Sequence, residues 1–246
     1  VTIAGRGAWR IAWPCLALAL LLIALPRMGP VFHAWMPELR APVYTRTSFV
    51  ALTAAHIGLV GMATLIAVVL GLGIGILATR PATRSLLPTV RAVAVIGQTF
   101  PPVAVLAIAV PLLGFGAAPT LLALCLYGVL PVLGQTVAGI ENVSRPALDA
   151  ADGMGYGRWR KLWEVELPLA AGPIMAGVRL SAIVSVGTAT IGSAVGASTL
   201  GAPIIEGLVS NNTAYVVQGA LLVAALAMSI DAVLAWIERY VRRGLV

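Results

Sequence analysis

The chain has 246 residues, 60% of them apolar, with 16 basic and 9 acidic side chains and a net charge of +7. Soluble domains carry about 25% charged residues, whereas this chain carries 10% and has a mean hydropathy of +0.99. So little polar surface cannot cover a water-facing globule, which excludes a soluble enzyme, a disordered scaffold and a nucleic-acid module. The class read from composition is an all-α polytopic membrane protein. The pI near 10.3 then reflects Lys and Arg gathered in loops on one side of a bilayer, with no nucleic acid as partner.

Charged residues divide the chain into apolar blocks. Ile11 to Pro26 lies between Arg10 and Arg27, with Trp9 and Trp13 as interfacial anchors. This block is short against the about 20 residues that a helical span needs, but Arg27 can snorkel and residues 28–37 are uncharged. A secretory signal is the competing reading, because Arg6 and Arg10 precede the apolar run. No small-x-small cleavage site follows Pro26, which favours a retained first span. Thr47 to Thr79 has His56 as its one titratable group other than hydroxyls, and predicts one span over about Ile57 to Ala78 after a leading segment. Inside it, Gly71-Leu-Gly-Ile-Gly75 does not match a nucleotide loop and reads as a small-residue packing face.

Ala92 to Ile140 carries no charge and is long enough for two spans, with Gly114–Pro119 as the turn between them. Leu180 to Ile205 and Gly207 to Ile230 supply a fifth and a sixth. Cys15 and Cys125 lie in apolar runs without metal-ligand or redox spacing and read as inert thiols. With the N-terminus inside, twelve of the sixteen basic residues fall in inside segments, against Arg27, Arg40 and Arg46 outside. That asymmetry predicts a multi-pass protein with both termini in the cytoplasm.

One segment breaks the apolar pattern. Glu141 to Ala171 holds nine of the 25 charges and is the longest inside loop in this topology. Ser144 is placed to cap a helix, with Pro146 tolerated in its first turn. Gly153, Gly155 and Gly157 then break the chain. A second amphipathic stretch, Arg158 to Leu167, is expected to end at Pro168. A protein that only conducts a solute has no need of so ordered a loop, which reads as a docking surface for a cytoplasmic partner.

Asp149-Ala150-Ala151, three residues, Gly155, nine residues and Val165-Glu166-Leu167-Pro168 resemble the EAA loop of membrane subunits of binding-protein-dependent ABC importers. The family pattern is Glu-Ala-Ala, three residues, Gly, nine residues, Ile-x-Leu-Pro. Both spacings match; Asp149 and Val165 are the departures, and the shorter carboxylate of Asp149 reaches one methylene less far. The resemblance implies a type I importer permease fold. It also implies that Asp149, Ala150, Ala151, Gly155, Leu167 and Pro168 form a coupling loop against a cytoplasmic ABC ATPase dimer. The N-terminal 46 residues are then a first span and outer loop, and residues 47–246 the transmembrane domain with coupling loop 141–171.

Gly97-Gln98-Thr99-Phe100-Pro101-Pro102, the stretch Gly192 to Gly201 and the segment from Asn212 to Asp231 are similar to importers of glycine betaine, choline, carnitine and proline. The resemblance implies a bacterial inner-membrane permease subunit for a small osmoprotectant, fed by an extracytoplasmic solute-binding protein. A second permease subunit, identical or paralogous, completes the assembly. Lys161 is the single lysine and no GKS or GKT exists, so this subunit binds no cofactor and ATP with Mg²⁺ belongs to the partner ATPase.

Quaternary ammonium groups are held in aromatic cages, yet the six Trp all lie near termini, loops or predicted interfaces. Gln98, Phe100, Pro101, Pro102 and Tyr127 are the candidates for a weak solute site or gate, against a proline kink with local packing. Arg179 and Asp231 are the intramembrane ionisable residues; snorkelling or a structural ion pair is the simpler reading of each. Two alternatives stay open on sequence: an ABC permease for another small solute such as an amino acid or sulfonate, and a stand-alone secondary carrier.

Overall fold

The computed structural model describes residues 3–243, except the side chains of residues 3–8, 10, 94, 98 and 241–243. Among the described residues every regular element is helical. A lipid interior leaves backbone groups no water to bond, and a helix pairs them within its own segment. In chain order the helices are α1 (Ile3–Ala24), α2 (Gly29–Trp35), α3 (Phe49–Thr79), α4 (Leu87–Thr99), α5 (Pro102–Leu113), α6 (Ala117–Glu141), α7 (Arg145–Gly153), α8 (Arg158–Lys161), α9 (Leu167–Ile191), α10 (Gly201–Val209) and α11 (Thr213–Arg243). A π-helical turn, Leu162–Glu166, joins α8 to α9 without a break.

Phe49–Thr79, Ala117–Glu141, Arg158–Val195 and Thr213–Tyr240 are each long and apolar enough to cross a membrane. The pairs Ile11–Arg27 with Gly29–Trp35 and Arg84–Gly97 with Pro102–Leu113 raise the number to six if each is one span. The first pair bends by 74° about the Leu25–Arg27 turn, where Pro26 interrupts the helix. The expected six thus fit, but two boundaries move. The fifth span was expected over 180–205, yet its helix starts at Arg158 and α9 ends at Ile191, because the charges of 158–166 ride on the helix rather than precede it. The sixth begins at Thr213 instead of Gly207, and α10 is a separate short helix. Asn211 takes a left-handed φ of 53°, which Asn tolerates, and the Asn212 carboxamide accepts the Tyr215 N–H at 3.3 Å to start α11. The turn expected at Gly114–Pro119 is present, with the Gly116 N–H bonded to the Val195 carbonyl at 2.7 Å.

The chain forms two compact units. The first comprises residues 1–63, 101–124 and 182–233. Its buried residues include Leu25, Leu124, Leu200, Leu222, Leu226 and the fully buried His56. The imidazole Nδ1 accepts the Leu200 N–H at 3.2 Å, and Nε2 donates to the Val186 carbonyl at 3.2 Å. One ring thus joins α3, α9 and the start of α10. Thr199 Oγ1 completes the turn between α9 and α10, donating to Ala189 O at 3.0 Å and accepting the Gly201 N–H at 3.1 Å.

The extended segment before α3 is strapped to α11 in the same unit. Gln218 Nε2 donates to Pro42 O at 2.6 Å, its Oε1 accepts the Tyr44 N–H at 3.1 Å, and Asn212 Nδ2 donates to Ala41 O at 2.9 Å. Tyr44 packs edge-on against Tyr215, with ring centroids 5.5 Å apart. Burial, with the Glu206 carboxylate adding to it, pushes the Tyr44 phenol up, so it packs as a neutral hydroxyl.

The second unit comprises residues 64–100, 125–181 and 234–246. The expected small-residue face is where α3 meets α6. A methyl group on Gly71 would sit 2.8 Å from Val132 Cβ, and one on Gly75 would sit 2.7 Å from Thr136 Cγ2. Only hydrogen fits at both, so the two backbones touch across van der Waals contact that larger side chains would forbid. Ala78, Leu87, Leu133 and Val137 extend this packing toward α4.

Two substitutions test these contacts by thermal unfolding of the purified protein in detergent. His56→Leu leaves the buried Leu200 N–H unpaired and is expected to cost about 1–3 kcal/mol. Gly75→Val overpacks the α3–α6 contact and is expected to cost about 1–3 kcal/mol.

Candidate functional site

The segment that the sequence singles out, residues 141–171, folds as a turn, helix α7, a glycine turn and a long helix that runs through α8 and the π turn into α9. Ser144 occupies the N-cap of α7, but its hydroxyl makes no capping bond. The reason is local: Pro146 has no N–H to offer, and the Ala147 N–H goes to the Ser144 carbonyl at 3.1 Å. Pro146 itself sits in the first turn, as expected.

The end of α7 explains the glycine of the pattern. The Tyr156 N–H bonds to Ala151 O at 3.0 Å and the Gly155 N–H to Asp152 O at 2.9 Å. Gly155 takes φ +75° between them. These two bonds with a left-handed residue are the Schellman termination, in which an L side chain at that position is strained. Gly155 therefore sits four residues after Ala151 because the helix must stop one turn after it.

The two alanines do different things. Ala151 is fully buried, whereas Asp149 and Ala150 are exposed beside Met154, which is 62% exposed. The outer face of α7 therefore carries a carboxylate and a methyl group beside the exposed Met154 side chain. Trp159 and Trp163, 72% and 64% exposed, lie on the following helix.

Ion pairs fix this loop to the helices of its unit. Lys161 Nζ pairs with Asp152 Oδ1 and ties α7 to α8. Arg160 pairs with Glu164 at 3.0 Å, and its guanidinium lies 4.2 Å from the Tyr156 ring centroid. Arg91 and Arg84 reach Glu141 at 2.6 and 3.7 Å and tie α4 and the turn before it to the end of α6. Glu166 pairs with Arg80 at 2.5 Å.

Leu167 and Pro168 are half-buried. The expectation that the helix stops at Pro168 is corrected: α9 runs through it to Ile191. A proline inside a helix lacks one N–H and collides with the carbonyl four residues back. Here the π-helical turn Leu162–Glu166 lies directly before it, and its wider winding accommodates both defects.

The pathway candidates are partly brought together. Phe100 and Pro101 are extended between α4 and α5, and Pro102 opens α5. The Tyr127 hydroxyl donates to the Phe100 carbonyl, leaving the Phe100 ring half exposed. The Gln98 side chain lies outside the described residues. Arg179 approaches Glu238 at 3.8 Å, which fits a structural ion pair, and Asp231 is half-buried on α11. Sequence reasoning missed Arg80, Arg91, Glu141 and Glu166 as a set, because their partners lie 50 to 86 residues away.

Comparison with known proteins agrees with this architecture. Osmoprotectant import permease protein OsmY of Salmonella typhimurium is 36% identical over 184 residues, 75% of this chain and 78% of that one. Choline transport system permease protein OpuBB of Bacillus subtilis is 39% identical over 187 residues, 76% of this chain and 85% of that one. A solved structure of the MetNI methionine ABC transporter in an inward-facing conformation has a TM-score of 0.70 and 21% identity. It covers 78% of this chain and 95% of that chain, a likeness of fold. The profile of the binding-protein-dependent transport system inner membrane component matches residues 67–243, and the chain belongs to that family.

Proposed function

We propose that this chain is the permease subunit of an ABC importer that takes up a small osmoprotectant such as glycine betaine or choline. The observation that carries the reading is the charged loop. It has the spacing of the EAA pattern, lies within the stretch that matches the family, and presents Asp149 and Ala150 outward on a helix whose C-terminal end is fixed by the Gly155 turn and the Lys161–Asp152 pair. An exposed helix face bearing one small residue and one carboxylate suits a groove on a partner, because little side-chain bulk separates the two backbones. The cargo class is supported by the osmoprotectant and choline permeases at 36% and 39% identity.

In this reading the chain is a transport subunit and not an enzyme. ATP and Mg²⁺ are bound by a cytoplasmic ATPase dimer that docks on the coupling loop formed by Asp149, Ala150, Ala151, Gly155, Leu167 and Pro168, with Asp149 and Ala150 facing the partner and Ala151 packed inward. A second permease subunit and an extracytoplasmic solute-binding protein complete the complex, and the asymmetry of twelve basic residues supports a cytoplasmic position for both termini and for residues 141–171. Residues 1–46 then serve as an added span and outer loop on a transmembrane domain of 47–246. Phe100, Pro101, Pro102 and Tyr127, with Gln98, are assigned to the solute pathway, and tight recognition of the cation is assigned to the binding protein.

The test is uptake of labelled choline and glycine betaine by proteoliposomes holding this chain, its ATPase and its binding protein. Accumulation that requires ATP is expected; accumulation by this chain alone without ATP identifies a secondary carrier instead. Ala150→Trp is expected to lower ATP-driven uptake about tenfold or more, equivalent to roughly 1.4 kcal/mol of lost docking, while membrane insertion is unchanged. Gly155→Ala is expected to cost about 1–2 kcal/mol at the end of α7, the penalty for an L side chain at positive φ. Faster hydrogen exchange at the amides of 154–156 reads it out.

A further inference from the structure

The charged loop runs directly into α9, and it reaches a second spanning helix, α3, through an ion pair. Arg80 follows the last residue of α3, and its side chain does two things at once. Its Nε donates to the Ile76 carbonyl at 3.2 Å and its Nη2 to Thr79 Oγ1 at 3.1 Å, so the guanidinium closes the C-terminal turn of α3. The same Nη2 donates to Glu166 Oε2 at 2.5 Å. Glu166 is the last residue of the π turn, directly before Leu167 and Pro168, at the one position the EAA ending leaves unspecified.

The two side chains are 23% and 12% exposed, against 58% and 69% for the arginines on Glu141. Exposed pairs are screened and contribute little, whereas separating a partly buried pair leaves a charge without its partner. On the other side of the π turn, α7 is held to the same helix by the Lys161–Asp152 pair, with Ala151 and Leu162 both buried. A continuous set of contacts therefore runs from the outer face of α7 through the π turn to the end of α3.

We propose that the Arg80–Glu166 pair is a positioning element of the transport cycle: it transmits displacement of the coupling helix to α3, so that ATPase motion moves α3 together with α9, the helix that the loop runs into. The inference rests on the importer reading above.

The test uses the full complex in lipid nanodiscs, following hydrogen exchange in residues 76–80 with and without ATP and vanadate, and labelled choline uptake per ATP hydrolysed in proteoliposomes. In the wild-type complex, ATP with vanadate is expected to change exchange in this turn. In Arg80→Gln and Glu166→Gln the ATPase is expected to co-purify, the exchange response to disappear and uptake per ATP to fall about tenfold, within the usual range for coupling between sites. Arg80→Lys, which keeps the charge, is expected to retain most of the response, and the exchanged pair Arg80→Glu with Glu166→Arg to regain it.

A response that persists in both single variants overturns the proposal, as does loss of the ATPase from them, since the pair then maintains the loop rather than transmits its motion. Loss of response in Arg80→Lys equal to that in Arg80→Gln also overturns it. Failure of the wild-type chain to retain an ATPase overturns the importer reading together with this one, so the two failures are distinguished by the wild-type control.

Discussion

A helix that stops within a packed core must hand its unpaired backbone groups to some other partner, and in this chain that need is met by His56 and Thr199. After Ile191 the chain leaves the helix, turns and starts again at Gly201. Thr199, Leu200 and His56 are buried, so side chains rather than solvent satisfy the backbone of this turn. The imidazole takes the Leu200 N–H, Thr199 takes the Gly201 N–H, and Ser193 Oγ lies 2.7 Å from Thr199 Oγ1. Both ring nitrogens are committed, which requires the neutral Nε2–H tautomer, because a second N–H would point at the Leu200 N–H. The position of α10, and with it the Arg46–Glu206 ion pair at 2.6 Å, follows from that one ring.

The second unit relies on a different device. Its helices approach through hydrogens at Gly71 and Gly75, and through Gly177, where a methyl group would lie 2.8 Å from the Pro131 carbonyl. Close backbones leave little slack, so displacement at one end of such a helix is carried along it rather than absorbed. The charged loop is fastened to this stiff packing by ion pairs that span 86 and 50 residues of sequence. Stiff packing and remote ion pairs together suit a part that receives force from a partner.

Local features were legible in the sequence, and features that depend on distant partners were not. The spacing from Ala151 to Gly155 encodes a helix stop, and the structure realises it as two hydrogen bonds and one positive φ. The glycines of α3 and the turn at Gly114–Pro119 were equally readable, since close approach and tight turning need particular residue types. Pro168 misled because a proline normally ends a helix, and nothing in one sequence announces a π turn that accommodates it. The charges at 158–166 misled in the same way, marking a loop by composition where the backbone stays helical. Arg80 and Glu166 gave no signal at all: each is an ordinary charge until the fold brings them together.

The hydrogen bonds that strap residues 41–44 to α11 and its N-cap all go to main-chain atoms of the strap, and the Tyr44 ring adds a packing contact with Tyr215. Gln218 and Asn212 grip the carbonyls of Ala41 and Pro42 and the N–H of Tyr44, and no side chain of the strap takes part in those bonds. Such a clasp recognises the path of the chain rather than its chemistry. Most replacements at 41 and 43 preserve it, while removing or inserting a single residue shifts every gripped atom by about 3.3–3.6 Å and undoes it. Positions 41 and 43 are therefore free to drift in composition while the segment is locked in length, the reverse of an ordinary surface connection.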